Sequence, residues 1–316
     1  MNLVKLMSKF EIQLVELKEK IDDSLKQVYQ NGPKLLKDPI NHVIVGGKRL
    51  RPILCMLTAE SLGSNSKKVI DAAISIELLH IFSLIHDDIM DNDNLRHGNE
   101  TIHKKWSLPI GILAGDAVLA LAFNGLNKLD NEIKELFNSA LIAVCEGQAL
   151  DLEYENKKNV TIDEYLYMIN LKTSHMLGLC SQLGAFIANS DNDTVLKMNT
   201  FGKLLGNAFQ IQDDLLEVTS DSKIMGKTLN SDYQLNKKTF LYLKAKEIIP
   251  DKLELLIKNN NGFSDYKNLL VSEGIVDLTK TYIDNVFDNA VDCILSLKLN
   301  NDNLLNFLNY VKDRKC

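Results

Sequence analysis

The chain has 316 residues, 45% hydrophobic and 25% charged, a globular balance that excludes collagen-like, disordered and disulfide-scaffold proteins. Acidic residues outnumber basic ones 42 to 36, so the net charge is −6 and no global basic field exists to hold a nucleic acid. Cys55, Cys145, Cys180, Cys293 and Cys316 form no C-x-x-C pair, which points to reduced thiols in a cytoplasm and away from a zinc ribbon. The first residues carry a charge every few positions, unlike a signal peptide, and no uninterrupted apolar stretch of about 20 residues is expected to span a bilayer.

Helices are expected almost throughout. Phe10, Leu14, Leu17, Ile21 and Leu25 recur at three and four, the period of an amphipathic helix. Asn31-Gly32-Pro33 and Gly63-Ser64-Asn65 mark the next boundaries. A strongly apolar helical stretch follows from Ile76 to Ile85, and from Ile110 to Ile249 the chain lacks proline, the strongest helix breaker. Residues 111–126 are apolar nearly all round apart from Asp116 and Asn124. They are expected to be buried on most sides, at a bundle centre or a subunit interface. Thr161 and Glu164 have the form of a capping box, predicting a helix start before Tyr165. Residues 189–193 and 259–262 are further turn clusters. Period-two alternation is hard to find, so little or no strand is expected, and without linkers or repeats residues 1–316 read as one all-α domain.

Two acidic clusters carry the chemistry. The first apolar helix ends in His86-Asp87-Asp88-Ile89-Met90-Asp91, where Asp87 and Asp91 are one turn apart and share a face. Their repulsion would be relieved by a divalent cation, and oxygen-only ligands suit magnesium. Phe209-Gln210-Ile211-Gln212-Asp213-Asp214-Leu215-Leu216-Glu217 repeats the design. Two such helices side by side would face carboxylates across a shared cavity, a multi-metal grip on a diphosphate. Gly46-Gly47-Lys48-Arg49-Leu50-Arg51-Pro52 supplies concentrated cations, with Arg96, Lys172, Lys227 and Lys237 near other turns. Glu77-x-x-His80 and Glu100-x-x-His103 match the di-iron element, but Glu100 follows Gly98 in a polar loop-like stretch. His86-Asp87 is also too isolated a pair to suggest a helical phosphohydrolase, and a non-catalytic scaffold would not need two matched clusters.

The chain resembles the trans-type isoprenyl diphosphate synthases, the polyprenyl synthetase family. The resemblance runs in order through GGKRLRP at 46–52, ELLH at 77–80, DDIMDNDNLRHG at 87–98, ILAGDAVL at 112–119 and EGQALDL at 146–152. It continues through LKTSHM at 171–176, FQIQDDLLE at 209–217 and GKTLNSD at 226–232. It implies a single large helical bundle around a deep central cavity, a homodimer, and head-to-tail transfer of an allylic group onto isopentenyl diphosphate. Asp87, Asp88 and Asp91 match its first aspartate-rich motif and Asp213, Asp214 and Glu217 its second. They would hold three magnesium ions, chiefly through Asp87, Asp91 and Asp213. By the same resemblance Arg96, Lys172 and Lys227 contact the allylic diphosphate, while Lys48, Arg51 and His80 bind isopentenyl diphosphate. Thr173 and Gln212 turn oxygens toward the developing carbocation, and Lys237 lies near the closing part of the site.

Three positions depart from the family pattern. His97 stands where a second arginine is usual, and would weaken isopentenyl diphosphate binding unless protonated. Glu217 replaces an aspartate, and Leu241 replaces a proline. The basic stretch argues against a terpene cyclase, and the intact acidic motifs argue against a silent partner subunit. Phe82 and Ser83, five and four residues before Asp87, are expected to set chain length. With a bulky floor at Phe82 the expected product is C20 geranylgeranyl diphosphate, with C15 farnesyl or longer chains as alternatives.

Overall fold

A computed structural model describes residues 8–64, 69–220, 237–259, 262–297 and 299–314. Among them the only strands are β1 (Leu95–Arg96) and β2 (Asn99–Glu100), an antiparallel pair joined through His97 and Gly98. Both turn residues have positive φ, 52° and 78°, the backbone a two-residue hairpin demands.

The helices before the hairpin are α1 (Lys9–Lys26), α2 (Lys34–Ile44), α3 (Leu50–Ser61) and α4 (Ile70–Met90). After it come α5 (Ile102–Lys105), α6 (Leu108–Gly125), α7 (Asn131–Asn156), α8 (Ile162–Ile169), α9 (His175–Ile187) and α10 (Asn192–Thr219). The last five are α11 (Phe240–Ile248), α12 (Pro250–Lys258), α13 (Phe263–Ser272), α14 (Ile275–Leu295) and α15 (Asp302–Lys312). Leu14, Leu17, Ile21 and Leu25 are the buried stripe of α1, as their spacing predicts. Thr161 and Glu164 form the expected capping box at the start of α8. Asp191, in the turn cluster 189–193, caps α10 by accepting from the Thr194 N–H at 2.9 Å.

Core packing joins the helices through one continuous set of buried side chains, from Leu14 to Val311. α4 packs on α3 and α6, while α10 packs on α9 and α14. Phe137, Phe201, Phe240, Phe287 and Phe307 are fully buried, each contributing about 2–3 kcal/mol of transfer free energy. Leu241 is fully buried near the start of α11, so its side chain is part of the core.

The sequence expectation for residues 111–126 needs correction. α6 buries Gly111, Ala114, Gly115, Val118 and Ala122, a face of mostly small residues that lets it approach α4 closely. Its other side leaves Leu108, Ile112 and Leu113 about half exposed, at 51%, 46% and 52%. An apolar composition all round therefore did not mean burial all round. The segment 108–128 is long and apolar enough to cross a membrane by length and mean hydropathy alone, but Asp116 and Asn124 interrupt it, and its small-residue face packs on α4.

Candidate active site

The first acidic cluster sits on the last turn of α4. Asp88 is turned away from Asp87 and Asp91 and is 6% exposed. Arg96 on β1 donates to it through Nε at 2.8 Å and through Nη2, and reaches Asp93 at 3.3 Å. The hairpin thus returns Arg96 to α4. Burial pushes the Asp88 carboxyl up to about 6, against the pull of Arg96. Burial also raises Asp87, with Lys172 opposing.

Two lysines close over this cluster and meet at a residue that the sequence reading passed over. Lys172 Nζ donates to Asp151 Oδ2 at 2.7 Å and lies 3.7 Å from Asp87 Oδ2. Lys237 Nζ reaches the same Asp151 oxygen at 2.8 Å, Glu155 Oε1 at 3.1 Å and Asp91 Oδ1 at 3.4 Å. Burial opposes the charge on Asp151, but the two lysines outweigh it and hold the carboxyl below its ordinary range. Asp151 and Glu155 are four apart on α7, so a third pair of acids one turn apart was the available signal.

Lys172 and Thr173 lie in a π-helical turn, Asn170–Ser174, between α8 and α9. Such turns interrupt helices and place side chains that regular helix would aim elsewhere. This one is wedged between two glycines: a Cβ on Gly147 of α7 would lie 2.3 Å from the Lys172 backbone nitrogen, and one on Gly206 of α10 would lie 2.5 Å from Ser174 Cα. The close approach brings Thr173 to α10.

There the glutamine that meets Thr173 is not the expected Gln212. Thr173 Oγ1 donates to Gln210 Oε1 at 2.8 Å. Gln212 instead donates to the Lys312 carbonyl at 2.7 Å and accepts from Arg314 Nε at 2.9 Å, so its amide is held by the C-terminal segment. Gln210, one helical turn before Asp214, is the glutamine beside Thr173. Asp214, expected among the metal ligands, is turned into the core. It accepts from Tyr165 Oη at 2.6 Å, the Phe240 N–H at 3.1 Å and Gln210 Nε2 at 3.3 Å, tying α10 to α8 and the start of α11. Asp213 stays at the surface of the site with its side chain 44% exposed, and Arg314 Nη2 holds its Oδ1 at 2.7 Å. The Arg314 guanidinium also stacks 3.5 Å over the Phe209 ring. Glu217 is on the same helix face one turn beyond Asp213.

The basic stretch forms the loop between α2 and α3 and the first turn of α3. It needs positive φ at Gly46, Gly47 and Arg49, at 96°, 80° and 55°, which two adjacent glycines supply at low cost. Lys48 is exposed. Arg51 Nη1 donates to His80 Nε2 at 3.0 Å, and burial followed by the charge of Arg51 holds the imidazole neutral, with its pKa well below the ordinary value. His97 at the hairpin tip is exposed, and it lies close enough to add to that effect. A void of about 10 Å³ adjoins Arg51 against Leu50, Leu177 and Phe209, while Lys227 lies outside the described residues.

Glu77 pairs with Arg49 at 2.7 Å, and Glu100 is in β2 whereas His103 is in α5, so no di-iron arrangement forms. Phe82 is buried edge-on against His86, ring centroids 4.7 Å apart, and Ser83 Oγ donates to the His80 carbonyl at 2.8 Å. Among the described residues no three acidic or histidine side chains converge as a ready-made metal cage. The donor set nonetheless fits magnesium, which takes one or two carboxylates and completes its octahedron with water and phosphate oxygens.

Residues 33–271 match the family model described as polyprenyl synthetase. A geranylgeranyl diphosphate synthase of Sulfolobus acidocaldarius is 36% identical over 94% of each chain. A crystal structure of a geranylgeranyl pyrophosphate synthase superposes with a TM-score of 0.90 at 35% identity, covering 96% of this chain and 99% of that one. A polyprenyl synthase from Caulobacter crescentus, crystallised with calcium and isoprenyl diphosphate, gives 0.87 at 25% identity over 96% and 97% of the two chains. Motifs in order, an all-α bundle and these likenesses agree: the chain belongs to the polyprenyl synthetase family and is a prenyltransferase of the trans-isoprenyl diphosphate synthase type.

Proposed function

We propose that the protein condenses isopentenyl diphosphate with an allylic diphosphate and releases geranylgeranyl diphosphate. The observation that carries this reading is the acidic turn of α4, joined through Lys172 and Lys237 to Asp151 and Glu155 of α7, with a separate cationic pocket around Arg51 and His80. One half suits an allylic diphosphate with metal, the other a metal-free diphosphate.

Asp87, Asp91 and Asp213 would hold magnesium, three ions by the family resemblance, with Glu217 in support. When bound, magnesium stabilises the negative charge that grows on the leaving diphosphate. Lys172 and Lys237 exchange carboxylate partners for diphosphate oxygens, their ammonium groups remaining protonated throughout. Arg96, held by Asp88, adds positive potential. Lys48, Arg51 and neutral His80 orient isopentenyl diphosphate. As the allylic C–O bond breaks, its electron pair leaves with the diphosphate. The isopentenyl double bond forms the new C–C bond, and the resulting tertiary cation loses a proton to the released diphosphate. Thr173 and Gln210 offer oxygen lone pairs beside the allylic cation.

Phe82, immobilised against His86, is the proposed floor for the growing chain, with Ser83 leaving room above it. Incubation with magnesium, isopentenyl diphosphate and C5, C10 and C15 primers tests the reading. C20 product from the wild type and longer product from Phe82→Ala are expected. Unchanged chain length in the variant would remove Phe82 as the floor, and full turnover in EDTA would remove the metal. The half-exposed face of α6 supports a homodimer, and sedimentation at the 35.6 kDa monomer mass at micromolar concentration would refute it. The four described free cysteines support a cytoplasmic setting.

A further inference from the structure

Arg49 stands inside the basic stretch, where a cation beside a diphosphate site invites assignment to the substrate. Its contacts are all internal. The residue is 4% exposed. Nε donates to Asp22 Oδ1 on α1 at 2.8 Å, Nη1 to Glu77 Oε1 on α4 at 2.7 Å, and Nη2 to the Ile44 carbonyl at the end of α2. Its backbone is left-handed, with φ of 55°, a conformation that a non-glycine residue keeps only when its surroundings hold it there. Glu77 lies one turn before His80 on the same helix, and its field also reaches Arg51. Glu77 Oε2 and Arg51 Nε are both buried without a hydrogen-bond partner. One carboxylate therefore stands between two guanidinium groups, one turned inward and one turned to the site.

We propose that Asp22, Arg49 and Glu77 are positioning residues for the isopentenyl diphosphate subsite. This clamp runs from α1 through the loop to α4. It fixes the left-handed turn from which Lys48 points outward and Arg51 meets His80. The proposal rests on the prenyl-transfer reading above, but it assigns none of the three residues to contact with substrate.

The sign of an effect separates this from a direct electrostatic role. If the stretch bound diphosphate simply as a patch of charge, removing a nearby acid would tighten binding, and lysine at position 49 would serve as well as arginine. If the clamp positions the loop, removing the acid weakens binding, and lysine, whose donors all sit on one nitrogen, cannot span the three separate positions that Nε, Nη1 and Nη2 of Arg49 reach.

The test titrates isopentenyl diphosphate calorimetrically, without allylic primer, into wild type, Asp22→Asn, Arg49→Lys and Glu77→Gln, and measures kcat and both Michaelis constants. The dissociation constant for isopentenyl diphosphate should rise about five- to tenfold in Asp22→Asn and at least about tenfold in Arg49→Lys, with kcat and the allylic KM within about threefold of wild type. Glu77→Gln leaves two buried guanidinium groups short of a counter-charge and could unfold. Asp22, whose side chain is 29% exposed, therefore carries the test, with thermal melts as control. Equal or tighter binding in Asp22→Asn overturns the clamp. A wild type that binds isopentenyl diphosphate without condensing it overturns the proposed function while the clamp is still read from binding. A wild type that does not bind it overturns both.

Discussion

The acidic turns of α4 and α10 read almost alike, two adjacent acids and a third one turn on, yet the fold uses them differently. On α4 the second aspartate, Asp88, is held by Arg96 from the hairpin, and the outer two face Lys172 and Lys237. On α10 the second aspartate, Asp214, is a buried three-way acceptor joining α8, α10 and α11, while Asp213 faces outward to Arg314. In each cluster one acid is buried and bonded within the fold, and its neighbours lie on another face of the helix. A helix advances about 100° per residue, so adjacent carboxylates cannot serve one site equally.

The largest expected effects test that division directly. Asp87→Asn and Asp213→Asn should each lower kcat at least about a hundredfold with little change in melting temperature, the scale of losing an electrostatic stabiliser. Asp214→Asn should do the reverse in kind. It weakens hydrogen bonds from Tyr165 and the Phe240 N–H to a buried charge, for a loss of about 2–3 kcal/mol and a melting temperature lower by several degrees. A stable but inactive Asp214→Asn would restore Asp214 to the metal site.

A smaller effect distinguishes the two glutamines of α10. Gln210→Leu removes the acceptor of Thr173 and should lower kcat about tenfold, whereas Gln212→Leu should chiefly loosen the segment around Arg314. Single-turnover rates would settle it, and a larger loss in Gln212→Leu would return the cation-facing role to that residue.

The smallest effect is a pH dependence of opposite sign at two acids. Asp88 holds its proton up to about pH 6 when folded, so folding is favoured by protonation there and stability is lost as pH rises from about 4 to 6. Asp151 is held below its ordinary range by its lysines, so its contribution is present above that range and is lost as pH falls through it. In metal-free protein, Asp88→Asn should flatten the first limb of the stability profile and Asp151→Asn the second. Melting curves from pH 3 to 7 that leave both limbs unchanged would show that neither carboxylate is linked to folding.

How much of this was legible depended on the range of the interactions involved. Periodicity, caps and proline spacing are local, so α1, α8 and, among the described residues, the absence of extended sheet followed from the sequence, as did the two acidic turns and the basic loop. Burial of α6 did not follow, because composition reports what a face could bury and not whether another element is present to cover it. Asp151 passed unnoticed because its importance comes from two lysines, 21 and 86 residues away, that converge on one oxygen. Likewise, whether Gln210 or Gln212 stands by Thr173 turns on the approach of a π-helical turn at Gly206, and Arg49 looks like a substrate cation until Asp22 and Glu77 are seen around it. The sequence by itself determined which residues carry charge and which segments form helices, since both are written in residue type and spacing. Tertiary structure alone decided which charges face each other, because a buried ionic group takes its role from the partner that compensates its desolvation, and that partner is brought in by the fold.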